Sequence, residues 1–386
     1  MKWCWVWIVL LLLCGLPTAQ VALAEGDSDV QSQLGGYVDS NLQALDLSDF
    51  EAFCRSLGAG DNVRDTLSAL IRGRLSLTPR QLGDLVWDSV TRAVAGVLPS
   101  LVVIVLIATL FNLLTGLTQH FLRRQTADMV YFVCYAAVLS VVVTLVVRTL
   151  TSVRSTVDTL VDMMNVVTPP LMTLTVAVGG NVTASVFQPQ LALVSTLVAD
   201  VIGRVILPLF IASVVFAVAG NLSDNVRLDK LQSATRYLIG VVLAAVFGLF
   251  TAYLTAAGIA GSMADTMSVR AARYVIGSYV PLVGGYISQG FDLVTASVHL
   301  IKNALGVYAM GVVLSVVLVP LAQLVVLTVG LKLTAGIIEP IGDRRMASFV
   351  GGVAECMRAL VAAVAGVGFT FFVTLLMVMC SLTMVL

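Results

Sequence analysis

Apolar residues dominate the chain from about residue 97 onward, in runs long enough to cross a bilayer and separated by short charged stretches. A helix needs about 20 mostly apolar residues to cross roughly 30 Å of hydrocarbon. The runs that meet or approach that length are Val97–Leu113, Met129–Val147, Val201–Ala219, Tyr237–Ile259, Val307–Val329 and Val361–Leu386. A soluble core helix shows polar residues on every turn, and these runs mostly do not. The pattern predicts an all-α, polytopic helical membrane protein whose body, residues 93–386, has about six to eight spans.

Some stretches break the pattern. Thr149–Asn165 carries Arg154, Asp158 and Asp162, with Val153, Val157, Leu160, Val161 and Met164 on one helical face, and reads as an interfacial helix. The next stretch opens at Thr168-Pro169-Pro170, is interrupted at Gly179-Gly180-Asn181 and meets Pro189. Two readings stay open for it. One is a broken or re-entrant span, whose irregular backbone must be shielded by protein or line a polar cavity. The other is a close-packed turn between two helices, which glycines also permit. Asp200 and Arg204 share one side of the following helix. A structural pair, an interfacial anchor and an ion path are all compatible with them. Residues 265–290 are too polar for a lipid-facing helix and too apolar for a solvent loop. With Arg270, Arg273, Pro281 and a following helix that carries Asp292, they predict a buried or re-entrant feature. Pro320 predicts a kink in its span. Leu331–Ile338 reads as a short apolar piece, and Glu339 to Asp343 as a turn.

Composition sharpens this picture. Hydrophobic residues make up 59% of the 386 positions and charged residues 11%, against about 25% charged in soluble domains. The net charge is zero but unevenly spread: residues 25–90 hold eleven acids and five arginines, whereas residues 91–386 hold sixteen basic and eleven acidic groups. No basic patch suits nucleic acid. The six cysteines form no CxxC pair, and His120 and His299 are far apart, so neither a disulfide framework nor a histidine metal site is expected.

The N-terminal part reads as two pieces. Lys2, the apolar run Trp3–Leu13 and the small-x-small site Ala22-Leu23-Ala24 predict a cleaved signal peptide, residues 1–24, with an uncleaved first anchor as the alternative. Residues 25–92 then form a small, acidic, extracytoplasmic helical head. Val38–Leu45 and Leu47–Leu57 suggest a helical pair with Asp49 as a cap, and Thr78-Pro79 opens a further helix. A domain this small has little core of its own and is expected to dock. Arg123 and Arg124 in the loop after the first mature span favour the cytoplasmic side, which agrees with an exported head.

No phosphate loop with a lysine, HExxH or GxSxG motif is present, so no enzyme activity and no cofactor are expected. The stretch from Ser268 to Gly285, with Arg270, Arg273, Gly277, Pro281 and Gly284 in order, continues through Asp292, Ala296-Ser297, Lys302-Asn303 and Gly306. Together with Pro340-Ile341-Gly342-Asp343 and the surroundings of Phe187 and Pro189, it resembles the stage III sporulation protein AE family of endospore-forming bacteria. Gln188 departs from a position that can be histidine there. The resemblance covers nearly the whole chain.

That resemblance implies a noncatalytic membrane subunit of the channel or secretion-like complex joining mother cell and forespore. Implied partners are other membrane and ring-forming proteins, an ATPase-like cytoplasmic partner and a forespore-side partner, with no nucleic acid. The implied location is the mother-cell membrane around the forespore, the head lying in the intermembrane space. A stand-alone secondary transporter, motivated by the broken stretch and the Asp200–Arg204 pair, and a purely structural scaffold are the competing readings. The family brings no catalytic residues. Positions singled out for a structural or pore-related role are Asn181, Asp200, Arg204, Arg270, Arg273, Gly277, Pro281, Gly284, Asp292, Asn303, Glu339 and Asp343.

Overall fold

The computed structural model describes residues 28–58, 62–72, 79–118, 124–222, 228–279, 284–341 and 344–380. The region expected to be a signal peptide lies outside them. All regular structure among the described residues is helical. Three short helices come first: α1 (Ser28–Ala44), α2 (Ser48–Ser56) and α3 (Val63–Ile71). Long ones follow: α4 (Pro79–Thr118), α5 (Arg124–Ala177), α6 (Asn181–Val201), a π-helical turn (Ile202–Ile206), α7 (Leu207–Gly220), α8 (Asp229–Tyr279), α9 (Gly284–Ile341) and α10 (Arg344–Cys380). Taking α6, the π turn and α7 as one rod, six rods are long and apolar enough to cross a membrane.

The rods are longer than a bilayer requires. At 1.5 Å per residue, α5 runs about 80 Å and α9 almost 90 Å. Several sequence expectations therefore resolve into one continuous helix. The stretch expected as an interfacial helix, Thr149–Asn165, is the middle of α5. Its apolar face is real: Val153, Val157, Leu160 and Met164 are buried. The same helix runs through Pro169 and Pro170 and stops only at Gly179, whose φ of 91° is open to glycine and strained for other residues. Of the two readings of that region, the structure has the turn: the Gly179 and Gly180 amides close back onto Val176 and Thr175, and α6 starts at once with Pro189 inside it.

Of the stretch expected as a buried or re-entrant feature, residues 265–279 are the end of α8 and 284–290 the start of α9, with Pro281 outside the described residues. Leu331–Ile338 is the last part of α9, which continues through Pro320 and Pro340 to Ile341.

Helix α9 is the hub. It packs most extensively on α10 and also touches α1, α3, α4, α5 and α8. Helix α10 is the most enclosed rod, and glycine lets it approach its neighbours closely. A Cβ on Gly368 would fall 2.8 Å from Val317 Cγ2, so the α10 backbone packs directly on the Val317 side chain of α9 there. At one end of the bundle an aromatic series joins α4, α5 and α10: Phe111 to Tyr131 at 5.8 Å, Tyr131 to Tyr135 at 5.7 Å, and Tyr135 to Phe349 at 5.2 Å between ring centroids. The Tyr131 and Tyr135 hydroxyls donate to the carbonyls of Asn221 and Val218, tying α5 to the end of α7.

The head docks at the opposite end. Helices α1 and α3 pack on α9, and α2 on α5. Phe50 sets its ring edge-on to Tyr308 at 5.8 Å, and Asn41 donates to Ser297 Oγ at 3.0 Å. Asp49 lies in the first turn of α2 rather than capping it. The capping role falls to Asp46, which accepts from the Ser48 amide at 3.1 Å and its hydroxyl at 2.7 Å. The Ser48 hydroxyl, then its amide, hold the Asp46 carboxyl below its ordinary 3.8. Helix α4 is unbroken across residue 92, so one rod carries the chain from beside the head into the first span.

Candidate functional site

Helices α8, α9 and α10 share a layer without charge. There is none between Arg236 and Asp265 on α8, none between Lys302 and Lys332 on α9, and none after Arg358 among the described residues of α10. The α6–π–α7 rod carries Asp200 and Arg204 at this level, and α5, set in register by Tyr135 against Val218, carries Arg148, Arg154 and Asp158 there.

Contacts fix their height. Phe187 packs over Gly258 and Gln190 Nε2 donates to the Tyr253 hydroxyl at 3.2 Å, in the half of the α8 stretch nearer Asp265. Ser213 meets Cys356 Sγ at 3.1 Å, just before Arg358 on α10. Asp200 lies about 15 Å beyond Gln190 and about 20 Å short of Ser213 along the rod, at 1.5 Å per residue.

Local sequence explains the shape. Pro208 has no N–H to return to the carbonyl four residues earlier, and its ring would crowd that carbonyl. The turn before it widens into the π form, where the Leu207 amide reaches back to Ile202. Gly203 leaves open space on this turn. Arg204 Nε sits 3.0 Å from Asp200 Oδ1, and the two side chains are 80% and 51% exposed. The same rod buries Phe187, Leu191, Val194 and Val198 on its inner face. Its outer face, with Leu197, Asp200, Arg204 and Ile211, is exposed.

A second polar cluster lies at the end with the aromatic series. Glu355 on α10 bridges Arg236 on α8 and Arg358 on α10, the latter at 2.9 Å. These three edge a groove of about 700 Å³ whose walls are Ile239, Leu243, Val325 and Val329. Gln232 adds a donor to the Gly352 carbonyl at 3.1 Å. Among the described residues no three histidine, cysteine, aspartate or glutamate side chains are placed to hold a metal ion.

The remaining sequence candidates do not converge on one site. Asn181 is exposed at the first turn of α6. Arg270, Arg273 and Gly277 belong to the last turns of α8, and Gly284 and Asp292 to the first turns of α9. Asn303 is half-buried on α9, and Glu339 is exposed at its far end. Pro281 and Asp343 lie outside the described residues.

Two buried polar residues were not singled out from the sequence. Asp265 on α8 is almost fully enclosed, and its carboxylate accepts from the Val182 amide at 2.9 Å and the Thr183 amide at 2.8 Å. It caps α6 from another helix. Lys302 on α9 is fully buried, and among the described residues its Nζ meets no hydrogen-bond partner. Lys302 was named in the sequence only within the family-like stretch, as Lys302-Asn303, with no sign that it would be buried. For Asp265 there was none that named its partner.

A family model described as stage III sporulation protein AE matches residues 62–382. The chain is also 20% identical over 271 residues to the stage III sporulation protein AE of Bacillus subtilis (strain 168), covering 70% of this chain and 68% of that one. No solved structure matches. With most of its length inside that match, the chain belongs to the stage III sporulation protein AE family.

Proposed function

We propose that this protein is a noncatalytic membrane subunit of the channel or secretion-like complex that joins mother cell and forespore during endospore formation. Its family is a sporulation family. The observation that supports a subunit is the exposed Asp200–Arg204 pair on the outer face of the α6–π–α7 rod, level with the charge-free stretches of α8, α9 and α10. Arginine or aspartate at the centre of a span costs roughly 2.5–3.5 kcal/mol each in lipid, so such residues face protein or a water-filled space. The stand-alone transporter loses its main motive, because the Gly179-Gly180 interruption is a tight turn between full helices.

The proposed place is the mother-cell membrane around the forespore. The aromatic end of the bundle carries Arg124, Lys230, Arg236, Lys332, Arg344, Arg345 and Arg358 against Asp128, Asp229, Glu339 and Glu355. That excess reads as the cytoplasmic side. The docked head, residues 28–72, then lies in the intermembrane space, where ring-forming partners would meet it. An ATPase-like partner would meet the basic end, and the forespore-side partner would be reached through the complex. Orientation is tested by labelling: a Ser48→Cys chain reacts with an impermeant thiol reagent from outside, and a Lys230→Cys chain does not. The reverse pattern would sink the placement. Deleting the gene and counting heat-resistant spores tests the role. Spore formation at the normal level under native regulation contradicts it.

A further inference from the structure

We infer that the exposed face of α5 from Arg148 to Thr173 is the water-facing wall of a membrane passage for hydrophilic solutes of either charge, and that α8 is the lipid-facing wall of the same chain. The inference rests on the channel-subunit reading above and gives it a wall and a permeant class. Arg148, Thr151, Arg154, Asp158, Asp162 and Asn165 are all exposed on one side of α5. No large hydrophobic side chain is exposed on this helix between Val147 and Val176, a length of about 40 Å at 1.5 Å per residue. That is more than the roughly 30 Å of hydrocarbon in a bilayer. Unlike Asp200 and Arg204, the four charged residues of this face form no ion pair among the described residues.

Helix α8 has the opposite character at the same height. Tyr135 is tied to Val218 and Gln190 to Tyr253, and α5 and the α6–π–α7 rod run antiparallel from the tight turn at Gly179. At 1.5 Å per residue these ties set Leu249 about level with Asp158. The large exposed side chains of α8 there are Leu249, Tyr253, Ile259 and Met263. The two helices hold separate flanks: α5 packs chiefly on α9, α6 and α4, and α8 chiefly on α7, α10 and α6. If water surrounded the chain at this height, α8 would leave a long apolar face uncovered. If lipid surrounded it, α5 would hold two arginines and two aspartates without solvation. Bilayer against α8 and water against α5 satisfy both. The α5 charges balance, so the wall favours neither cations nor anions. The rest of the complex closes the passage.

The test uses full-length chains in membranes from sporulating cells, where the complex is present. Cys4, Cys14 and exposed Cys380 are replaced by serine, and the buried Cys54, Cys134 and Cys356 are kept. Small thiol reagents of fixed positive or fixed negative charge should modify Thr151→Cys and Asn165→Cys about tenfold faster than Leu249→Cys, at similar rates for the two charges. Fast labelling at all three positions would put the whole height in water. Slow labelling at Thr151→Cys and Asn165→Cys would put α5 against lipid or protein. A strong preference for one charge would remove the permeant class. Each of these results overturns the inference. A second measurement locates the bilayer, with the purified full-length protein in vesicles of lipid brominated at mid-chain. A fluorophore on Leu249→Cys should be quenched at least twofold more than one on Asn165→Cys. Equal quenching at both, or none at Leu249→Cys, also overturns it. Spore counts report on the subunit reading, and labelling and quenching report on the wall, so either can fail alone.

Discussion

Asp265 receives the amide of Thr183 at 2.8 Å and, through its other oxygen, the preceding amide of Val182. The first amides of a helix have no partner within it, and inside an apolar bundle water does not serve them. The residue before α6 is Gly180, which has no side chain to cap with. Helix α8 supplies the missing acceptor, and the positive end of α6 favours a carboxylate there.

Asp265→Ala should therefore lower the stability of the detergent-solubilised protein by about 2–3 kcal/mol, the usual cost of removing a charged partner from buried donors. Asp265→Asn keeps one acceptor and turns an N–H₂ group toward the second amide, so it should lose nearly as much. Thermal unfolding followed by helical circular dichroism checks this. Unchanged melting in both variants would mean the cap contributes little.

A second prediction concerns Gly368. The nearest atoms to an added Cβ are both γ carbons of Val317, a branched side chain on α9 with little freedom to move aside. Gly368→Ala should cost about 1–3 kcal/mol by overpacking. Gly368→Ala combined with Val317→Ala should recover part of that loss. The contrast is Gly311, with open space around its α carbon, where alanine should be neutral or stabilising. Melting temperatures of the three variants test it.

The positions of these residues show what the sequence exposes and what it hides. The apolar layer is legible because charges stop abruptly at Arg236, Lys302, Lys332 and Arg358. The inner face of mid-α5 is legible from the spacing of Val153, Val157, Leu160 and Met164. The length of the rods is not. Pro169-Pro170 reads locally as a boundary, since a proline withdraws a donor and restrains the residue before it, yet α5 passes through both and packs on α6 and α9. Polar residues from 265 to 279 look like an interruption of the helical pattern, yet α8 runs through them to Tyr279. The Asp200–Arg204 pair is legible from its spacing, but its exposure depends on which face the fold buries. The Asp265 cap joins residues 83 apart, and no local pattern marks that pairing.

Lys302 gives a third prediction. A buried ammonium without a hydrogen-bond partner among the described residues is costly, and methionine matches its length without charge. Lys302→Met should leave stability unchanged or raise it by roughly 1–2 kcal/mol. If spore yield falls while melting temperature and abundance hold, the ammonium serves the assembled complex. A clear drop in melting temperature would instead mean that it is satisfied within the fold.

The last prediction uses the head. Cys54 on α2 is fully enclosed where the head meets Tyr308. Burial pushes its thiol above the ordinary 9.0; a hydrogen bond with Tyr308 opposes this and Glu51 adds to it. The docked state therefore holds the proton more tightly than the undocked one. Its advantage is complete below pH 9 and is lost as pH rises from there through the raised value. At pH 8 a membrane-permeant maleimide should leave Cys54 unmodified while it labels a cysteine placed at exposed Ser48. Above pH 9 labelling of Cys54 should climb together with proteolysis of the head, because deprotonation and release are linked. Cys54→Ala removes the titrating group, so release of its head should lose that pH dependence even if docking is weaker overall. Ready labelling of Cys54 at pH 8 would show that the head does not stay seated on α9.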